Sequence, residues 1–302
     1  MDHLQAIRIF ARVVETGGFS RAAQSLQMPN ATVSKWVKSL EDHLGVKLLE
    51  RSTRSVNVTT DGAAYYERMH PLLSELDDIE ATLGRDRASP RGALRVDSGG
   101  STASGILIPA LPQFCARYPD IQLQLSVTDR TADLLAENID CAIRSTSNDP
   151  ALVAREICVL RWTTCATPAY LAEYGTPSHP QQIVDDGHAV AGYFSASSGL
   201  VQPLRFERDG EQIVLAKVRN TVMVSESNAH LATALAGLGI VHTLDFMVRP
   251  AIARGELVPI LTDWRPPPLP IFLVYPPSRR YSTKVRVFAE WVSEVYAGLR
   301  EG

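Results

Sequence analysis

The sequence predicts two parts of different fold class: an all-α N-terminal part that ends in a long helix, and a larger α/β part behind it. Three observations support this division. Apolar residues recur at helical spacing over positions 4–44, a seven-residue apolar repeat runs over positions 65–83, and strand-like and helix-like segments alternate after position 90. A chain of 302 residues has room for two domains of ordinary size.

The composition is that of an ordinary globular protein, with 45% hydrophobic and 21% charged residues. The net charge is −3, so a nucleic-acid role has to rest on local rather than overall charge. The first residues lack the basic and apolar regions of a signal peptide, and no apolar run reaches the ~20 residues of a membrane span. We therefore expect a cytoplasmic protein.

The four cysteines are scattered along the chain and form no C-x-x-C pair. Reduced thiols are the simplest expectation for a cytosolic protein, and a redox-sensing pair of Cys158 with Cys165 is the alternative. The surroundings of the two sulfur atoms decide between them, because the reactivity of a thiol depends on its exposure and its pKa.

Three short helices are predicted at the N-terminus. The first ends at Gly17, and the second is alanine-rich and is expected to be capped by Ser20. The third follows a break at Pro29, and its inward face is formed by Val33, Val37, Leu40 and Leu44. Three short helices joined by tight turns indicate a helix-turn-helix, in which the last helix enters the major groove of DNA.

Charge is segregated between this region and the next. Positions 20–60 carry six Lys or Arg against three acids, whereas positions 61–83 carry six acids against one arginine. A surface that faces phosphates requires such a bias, although many solvated helix faces look similar.

The local motif is more specific than the charge. Residues 19–26 (FSRAAQSL), 33–41 (VSKWVKSLE), 44–51 (LGVKLLER) and 59–62 (TTDG) closely resemble, in order and spacing, the LysR-type transcriptional regulator family. In looser form the resemblance continues to the C-terminus. It implies a winged helix-turn-helix domain over residues 1–59, whose third helix reads the major groove and whose wing contacts the minor groove or backbone.

The resemblance also assigns roles to residues of this domain. Asn30 and Lys35 stand at base-reading positions, Ser34 stands near phosphate, and Arg51 and Arg54 stand in the wing. The complete set of DNA-binding candidates is Ser20, Arg21, Asn30, Ala31, Thr32, Ser34, Lys35, Lys38, Arg51 and Arg54.

Two positions depart from the family pattern. Pro29 replaces the usual Ser or Thr cap of the third helix, so Asn30 is expected to cap it, in competition with a base contact. Trp36 occupies a slot that is usually polar, and packing against the first helix is as good an explanation as contact with DNA.

A long helix is predicted over residues 60–83, followed by a hinge to residue 89. Thr60 is the expected N-cap, and Pro71 is expected to kink the helix. The a/d positions of its apolar repeat are Tyr65, Met69, Leu72, Leu76, Ile79 and Leu83. This pattern fits the seam of a two-stranded coiled coil, and the alternative is an amphipathic helix that lies on its own domain. The resemblance implies a homodimer through this helix and a homotetramer overall, with RNA polymerase as a further candidate partner.

The C-terminal part, residues 90–302, begins with a βαβαβ pattern that predicts a parallel sheet covered by helices. Its strands are expected at 94–96, 121–127 and 141–143 and its helices at 106–117 and 131–137. A second set follows, with helices at 168–174, 228–236, 244–253 and 282–299, strands at 221–224, 239–243 and 271–275, and a hairpin that turns at Asp209-Gly210.

By resemblance, this part is an effector-binding domain of two Rossmann-like subdomains, similar to periplasmic binding proteins. Subdomain I is assigned residues 90–163 and 266–302, and subdomain II residues 164–265. Ligands of open α/β sheets bind outside the carboxyl ends of the strands. The effector-binding candidates are therefore residues at strand ends and helix starts: Ser98, Ser101, Thr102, Thr128, Arg144, Ser225, Asn228 and Thr243.

These residues predict a small anionic effector, because Ser101 and Thr102 start a helix and Arg144 adds a positive charge. Plainer roles are also open. Ser101 and Ser227 could only cap helices, Arg144 could pair with a neighbouring acid, and Glu226 could neutralise Arg144 or select an amine.

Two other classes of protein compete with a regulator. An enzyme is not expected, since the sequence has no G-x-S-x-G elbow, no H-E-x-x-H motif and no clustered metal ligands, and no cofactor or metal is predicted. A stand-alone small-molecule binding module would account for the C-terminal part only. The first sixty residues favour the regulator, with double-stranded DNA and a small molecule as its partners.

Overall fold

The computed structural model describes residues 2–51, 56–83, 90–145 and 149–298. The chain divides into two compact units, an N-terminal unit of Met1–Arg87 and a C-terminal unit of Ala88–Gly302. Among the described residues, none of the helices combines the length and the apolar character that crossing a membrane demands.

The N-terminal unit consists of three short helices, a hairpin and a long helix. In chain order these are α1 (His3–Thr16), α2 (Phe19–Ser25), α3 (Asn30–Leu44), β1 (Leu49–Arg51), β2 (Val56–Val58) and α4 (Thr60–Leu83). Strands β1 and β2 pair antiparallel, with Leu49 opposite Val58. The predicted helix-turn-helix with its wing is therefore confirmed.

The core of this unit lies where α1 and α3 face each other. Phe10 and Val13 of α1 and Val33, Val37 and Leu40 of α3 are almost completely buried there. Their spacing of three, four and seven is that of one helix face, and burial of such a face stabilises each helix. Trp36 is partly buried and packs against the same core, as its packing explanation requires.

The caps of α2 and α3 differ from the sequence expectation. Ser20 lies inside α2, and the N-cap is Gly18, which has no side chain to accept a hydrogen bond. Asn30 is the first helical residue of α3, and the N-cap is Pro29. Both predicted caps are wrong because the N-cap lies two residues before Ser20 in α2 and one residue before Asn30 in α3.

The start of α4 also differs by one residue. Thr60 is already helical, and the Oγ1 of Thr59 accepts a hydrogen bond from the N–H of Gly62 at 2.9 Å. Thr59 is thus the capping residue. The helix continues through Pro71 to Leu83 without interruption.

The predicted seam of α4 divides into two parts. Tyr65 and Met69 pack against the core of their own unit, as the amphipathic alternative predicts. Leu72 is 55% exposed and Leu76 is half-buried, so they remain free to contact a second helix. The side chains of Ile79 and Leu83 and the hinge at 84–89 lie outside the described residues.

The C-terminal unit begins with a five-stranded sheet in the order β4-β3-β5-β14-β6. Its strands are β3 (Gly92–Ser98), β4 (Ile121–Val127), β5 (Cys141–Arg144), β6 (Val153–Leu160) and β14 (Leu269–Tyr275). Strand β3 pairs parallel with β4 and β5, as predicted, whereas β14 pairs antiparallel with β5 and β6. Strand β6 was not expected from the sequence.

Helices cover this sheet. A continuous helical run consists of α5 (Gly100–Thr102), a π turn (Ala103–Leu107) and α6 (Ile108–Arg117). The last element within the described residues is α11 (Thr283–Gly298), which follows a 3-10 turn (Pro277–Tyr281). Phe114 of α6 packs against Phe288 and Trp291 of α11 in the largest core cluster.

The helix predicted over residues 131–137 does not form, and that expectation was wrong. Turns occupy the segment, and the Oδ1 of Asp133 accepts hydrogen bonds from the N–H groups of Leu135 and Ala136, both at 3.0 Å. An aspartate that bonds to nearby backbone N–H groups gives the chain an alternative to a helix, and this segment is too short for the helix to prevail.

The second half of the unit carries three smaller sheets. In the first sheet, strand β7 (Trp162–Ala166) lies between β12 (Val241–Leu244) and β13 (Val258–Ile260). In the second, β8 (Ala189–Tyr193) pairs parallel with β11 (Arg219–Val224). In the third, β9 (Leu204–Arg208) forms a hairpin with β10 (Glu211–Leu215). The hairpin turns at Asp209 and Gly210, as predicted, and both have positive φ. The helices are α7 (Pro168–Tyr174), α8 (Gln182–Asp185), α9 (Ser227–Leu235) and α10 (Asp245–Ala253).

Candidate functional site

The face of α3 that points away from the core carries most of the DNA-binding candidates. Asn30, Ala31, Lys35 and Lys38 are exposed, and Thr32 and Ser34 are half-buried between these and the core. Lys35 and Lys38 have no ion-pair or hydrogen-bond partner among the described residues. Unpaired cations on an exposed helix face are free to neutralise phosphates or to reach base edges.

Helix α2 contributes the start of this surface. The Nδ2 of Asn30 donates to the Oγ of Ser20 at 3.1 Å, so the beginnings of α2 and α3 are joined side by side. The Asn30 amide does not cap α3 and keeps its oxygen and a second N–H available. Arg21 is exposed, but its guanidinium donates to the carbonyl of Gly17 at 2.8 Å and so also holds the end of α1.

A buried acid that the sequence reading missed supports this surface from behind. The Oε1 of Glu41 accepts hydrogen bonds from the N–H groups of Leu48 and Leu49 at 3.0 and 3.2 Å, and its Oε2 lies 2.9 Å from the Nζ of Lys47. Burial alone would favour the neutral acid, but the hydrogen bonds from Lys47 and from the two backbone groups hold the pKa of Glu41 below its ordinary value. Glu41 thereby fixes the start of the wing to α3.

The wing residues are only partly described. Arg51 ends β1, so its backbone belongs to the hairpin. Its side chain and the whole of Arg54 lie outside the described residues. Their contact with DNA stays a prediction.

The second candidate site is a cavity of about 300 Å³ in the C-terminal unit. Five of the effector-binding candidates line it: Ser101, Thr102, Thr128, Arg144 and Thr243. The first four come from the side of the five-stranded sheet, and Thr243 comes from β12 on the opposite side. Strand ends of both halves of the unit therefore meet at one cavity, which we call the first cavity.

The other three candidates do not line the first cavity. Ser98 is completely buried at the end of β3, and the side chain of Asn228 accepts a hydrogen bond from Ser104 at 2.8 Å. The carbonyl of Ser225 accepts a hydrogen bond from the hydroxyl of Tyr193 at 3.4 Å. Position at a strand end was not sufficient, because the orientation of each side chain depends on the local turn.

Asp129, which the sequence reading also missed, joins the two sides of the first cavity. Its carboxylate accepts hydrogen bonds from the N–H of Gly100 at 2.6 Å, from the N–H of Ser227 at 2.5 Å and from the hydroxyl of Tyr193 at 3.2 Å. The N–H of Ser101 donates to the Oγ of Ser227 at 2.8 Å. The N–H groups of Gly100 and Ser101 at the start of α5, and that of Ser227 at the start of α9, thus already have partners within the chain.

Arg144 is paired as well. Its Nη2 lies 3.8 Å from the Oδ2 of Asp97, which is 3% exposed, and it also donates to the carbonyl of Ala132. Burial raises the pKa of Asp97, and the charge of Arg144 opposes this shift. This pairing with a neighbouring acid is the plainer role that the sequence left open for Arg144. Glu226 instead caps α9 through the N–H groups of Asn228 and Ala229.

A second cavity of about 430 Å³ adjoins the first and shares Trp162, Tyr193, His230 and His242 with it. The rings of Trp162 and His242 stack with centroids 5.2 Å apart and planes inclined by 5°. The Nδ1 of His242 lies 2.9 Å from the Oγ1 of Thr164. Burial, reinforced by the nearby His230, lowers the pKa of His242 to about 3, so its imidazole is neutral near pH 7.

The cysteines give no support to a redox pair. Cys158 lies in β6 and Cys165 in β7, strands of different sheets, and both are buried. Burial raises the pKa of Cys165 to about 12, and a thiol that does not ionise is a poor nucleophile.

Two family models match the chain. The model of the bacterial regulatory helix-turn-helix proteins of the lysR family covers residues 4–63, and the model of the LysR substrate binding domain covers residues 87–297. Among relatives, an HTH-type transcriptional repressor of Pseudomonas aeruginosa is 38% identical over 299 residues, which are 98% of this chain and 93% of the relative. The HTH-type transcriptional regulator CrgA of Neisseria meningitidis is 33% identical over 292 residues, which are 96% of each chain.

Solved structures agree with this assignment. The structure of CrgA superposes with a TM-score of 0.61 and covers 96% of this chain and 98% of CrgA. The full-length virulence activator AphB of Vibrio cholerae, at 26% identity, superposes with a TM-score of 0.59 and covers 96% of this chain and 98% of AphB. With its helix-turn-helix unit and its α/β substrate-binding unit both matched, the chain belongs to the LysR family of bacterial transcriptional regulators.

Proposed function

We propose that this LysR-type regulator reads a specific operator with α3 and is controlled by a small, anionic effector held in the first cavity. The observation that supports the effector site best is that five separately predicted residues, from strand ends and a helix start on both sides of the C-terminal unit, line one cavity. The observation that supports DNA reading is the exposed face of α3 with its two unpaired lysines.

In this proposal Asn30 and Lys35 contact base edges, Ser34 lies near a phosphate, and Arg51 and Arg54 hold the wing on the backbone or in the minor groove. Asparagine suits adenine and lysine suits guanine. Salt-dependent retention of the purified protein on duplex DNA tests the class of function. A regulator that makes several phosphate contacts loses orders of magnitude in affinity between low and moderate salt. An enzyme or a stand-alone binding module would not, and we propose neither role.

An anionic effector has to compete with Asp129. Helix starts favour anions, but the N–H groups of Gly100 and Ser227 are already bonded to the Asp129 carboxylate. The proposal therefore predicts that Asp129→Asn, which removes the competing charge, strengthens the binding of metabolite anions in a thermal-shift screen. Asp120→Asn, at an exposed position, is the matched control and should bind like the parent. Equal binding by both variants would contradict an anion in this position.

A substitution at Ser101 tests whether the effector occupies the first cavity. Ser101→Leu adds bulk to the wall of the first cavity and leaves the sequence of the N-terminal unit unchanged. Operator binding should survive while the response to effector disappears, whereas Ser101→Ala, which removes only the hydroxyl and leaves the cavity open, should weaken the response without abolishing it. A normal response by Ser101→Leu would place the effector elsewhere.

The proposal also includes the assembly and location of the protein. We expect a homodimer through α4 and a homotetramer overall, in the cytoplasm, where bacterial DNA lies. Binding of effector changes the affinity for DNA only if the effector prefers one conformation of the protein. Equal affinity for both conformations would not shift the equilibrium between them.

A further inference from the structure

The two adjoining cavities differ in chemistry. The first is lined by four charged residues, Asp97, Asp129, Arg130 and Arg144. Among the described residues, the second is lined by one charged residue, Arg205, whose side chain is exposed. Prolines, leucines and aromatic rings form much of the rest of its wall. A ligand that occupies both cavities would therefore have one polar and one apolar end.

The aromatic part of this wall is fixed by the pairing of two strands. Trp162 of β7 stands opposite Leu244 of β12, and Thr164 stands opposite His242. Trp162 and His242 are thus diagonal neighbours on one face of the sheet, where large rings come into contact. Phe206 packs on His242 with ring centroids 5.3 Å apart, and Thr164 bonds its Nδ1, so the imidazole is held from two further directions.

We propose that the second cavity takes a planar aromatic group of the effector, which packs against Trp162 and His242 while the polar end of the molecule lies in the first cavity. This inference rests on the proposed function, because it names the chemical class of the same effector: an aryl compound with a polar side chain. A volume of about 430 Å³ is ample, since a cavity of about 150 Å³ already holds benzene.

Two properties of the wall and one general property of aromatic contacts suit an aromatic ring. Trp162 and His242 already stack with nearly parallel planes, so the indole ring is held in a fixed orientation against the imidazole. The imidazole of His242 is neutral near pH 7 and does not impose a charge on the apolar end. Aromatic contacts gain affinity beyond the area that they bury, by about two- to ten-fold. A saturated ring of the same size would not gain this additional affinity.

The test compares pairs of ligands in which the ring is either aromatic and planar or saturated and puckered. Benzoate, phenylacetate and 3-phenylpropanoate are titrated into the full-length protein by calorimetry, each beside its cyclohexyl counterpart. The two members of a pair have the same charge and the same number of carbon atoms. At least one aryl member should bind, and it should bind about two- to ten-fold more tightly than its counterpart.

Variants then test whether the preference for the aryl ligand depends on Trp162 and His242. Trp162→Leu should bring the ratio of the two dissociation constants to one, and Trp162→Phe should keep most of it. His242→Leu gives a second, independent reduction of the ratio in case Trp162→Leu does not fold. Leu200→Ala is the control, because Leu200 is 71% exposed and lines neither cavity.

Three results would overturn the inference: no binding by any aryl member, equal binding within every pair, or a ratio that survives both leucine variants. The proposed function fails differently. If the protein shows no salt-dependent binding to DNA, the proposal that it is a regulator is wrong. If Ser101→Leu retains the full response to ligand, the proposal that the effector occupies the first cavity is wrong. Neither result bears on the aromatic group.

Discussion

Replacement of Glu41 tests how the wing is held on α3. In Glu41→Ala the N–H groups of Leu48 and Leu49 both lose their acceptor inside the protein. An unsatisfied buried donor costs about 1–3 kcal/mol, so with two such donors the N-terminal unit should lose about 2–6 kcal/mol. Glu41→Gln keeps an acceptor oxygen and loses the contact with Lys47, whose side chain is 68% exposed and therefore contributes little. Its cost should be about 1–2 kcal/mol.

Amide hydrogen exchange over residues 2–51, followed by mass spectrometry on the full-length protein, measures the opening free energy of this unit. Glu50→Gln changes an exposed acid on the neighbouring strand and should leave exchange unchanged. Parent-like exchange in Glu41→Ala would refute the reasoning. So would an equal cost for the alanine and glutamine variants, because the acceptor oxygen would then not matter.

The same contact has a pH signature. The folded-state pKa of Glu41 is lowered, so its stabilising contribution is complete above the ordinary pKa of a glutamate. The contribution is lost as the pH falls through that value towards the folded-state pKa. Glu41→Gln has no such group, so the difference in stability between parent and variant should shrink in acid. A difference that stays constant as the pH falls would mean that the carboxylate charge is not involved.

Three further predictions concern DNA reading, assembly and the effector unit. Lys35→Ala should relax sequence preference at one operator position by about 1–3 kcal/mol, whereas Arg54→Ala should weaken binding to all sequences alike and flatten the salt dependence of binding. Binding to operator libraries measures both effects. A uniform loss of affinity in both variants would contradict the separate roles of base reading for Lys35 and backbone contact for Arg54. Leu76→Asp places a carboxylate in the exposed part of the α4 seam, so sedimentation should show loss of the dimer together with loss of operator affinity, and a fully dimeric variant would show that α4 packs elsewhere. His242 has a folded-state pKa of about 3, so the unfolded chain binds an extra proton below the ordinary value near 6.5. The C-terminal unit should therefore lose stability as the pH falls from there towards 3, and a thermal melt of His242→Phe should show a smaller loss over this range, unless the ring titrates normally in the fold.

The sequence by itself determined the elements that local patterns encode. The inward faces of α1 and α3 follow from apolar spacing, and the turn at Asp209 and Gly210 follows from residues that tolerate positive φ. Strand β4 was predicted with its observed bounds, Ile121–Val127, because its apolar and polar residues alternate. Each of these signals depends on neighbours within a few positions along the chain.

The caps mark the limit of such local reading. A polar residue near a helix start predicts that a helix begins there, but not which residue is the last outside it. Ser20 and Asn30 therefore came to lie within helices, where they bond to each other instead of to the backbone. The segment at 131–137 failed for a similar reason, because Asp133 bonds its own neighbours and the resulting turns bury Ala132 and Leu134 without a helix.

Only the tertiary structure decided the chemistry of the two sites. Glu41 binds backbone groups seven and eight residues away, and Asp129 binds a backbone group 29 residues before it and another 98 residues after it. Trp162 and His242 stack because two distant strands pair in one register. No periodicity records these contacts, since they depend on where folding brings separate segments together. The family pattern could therefore predict a cavity, whereas the partners of its charged groups and the aromatic wall beside it emerged only from the fold.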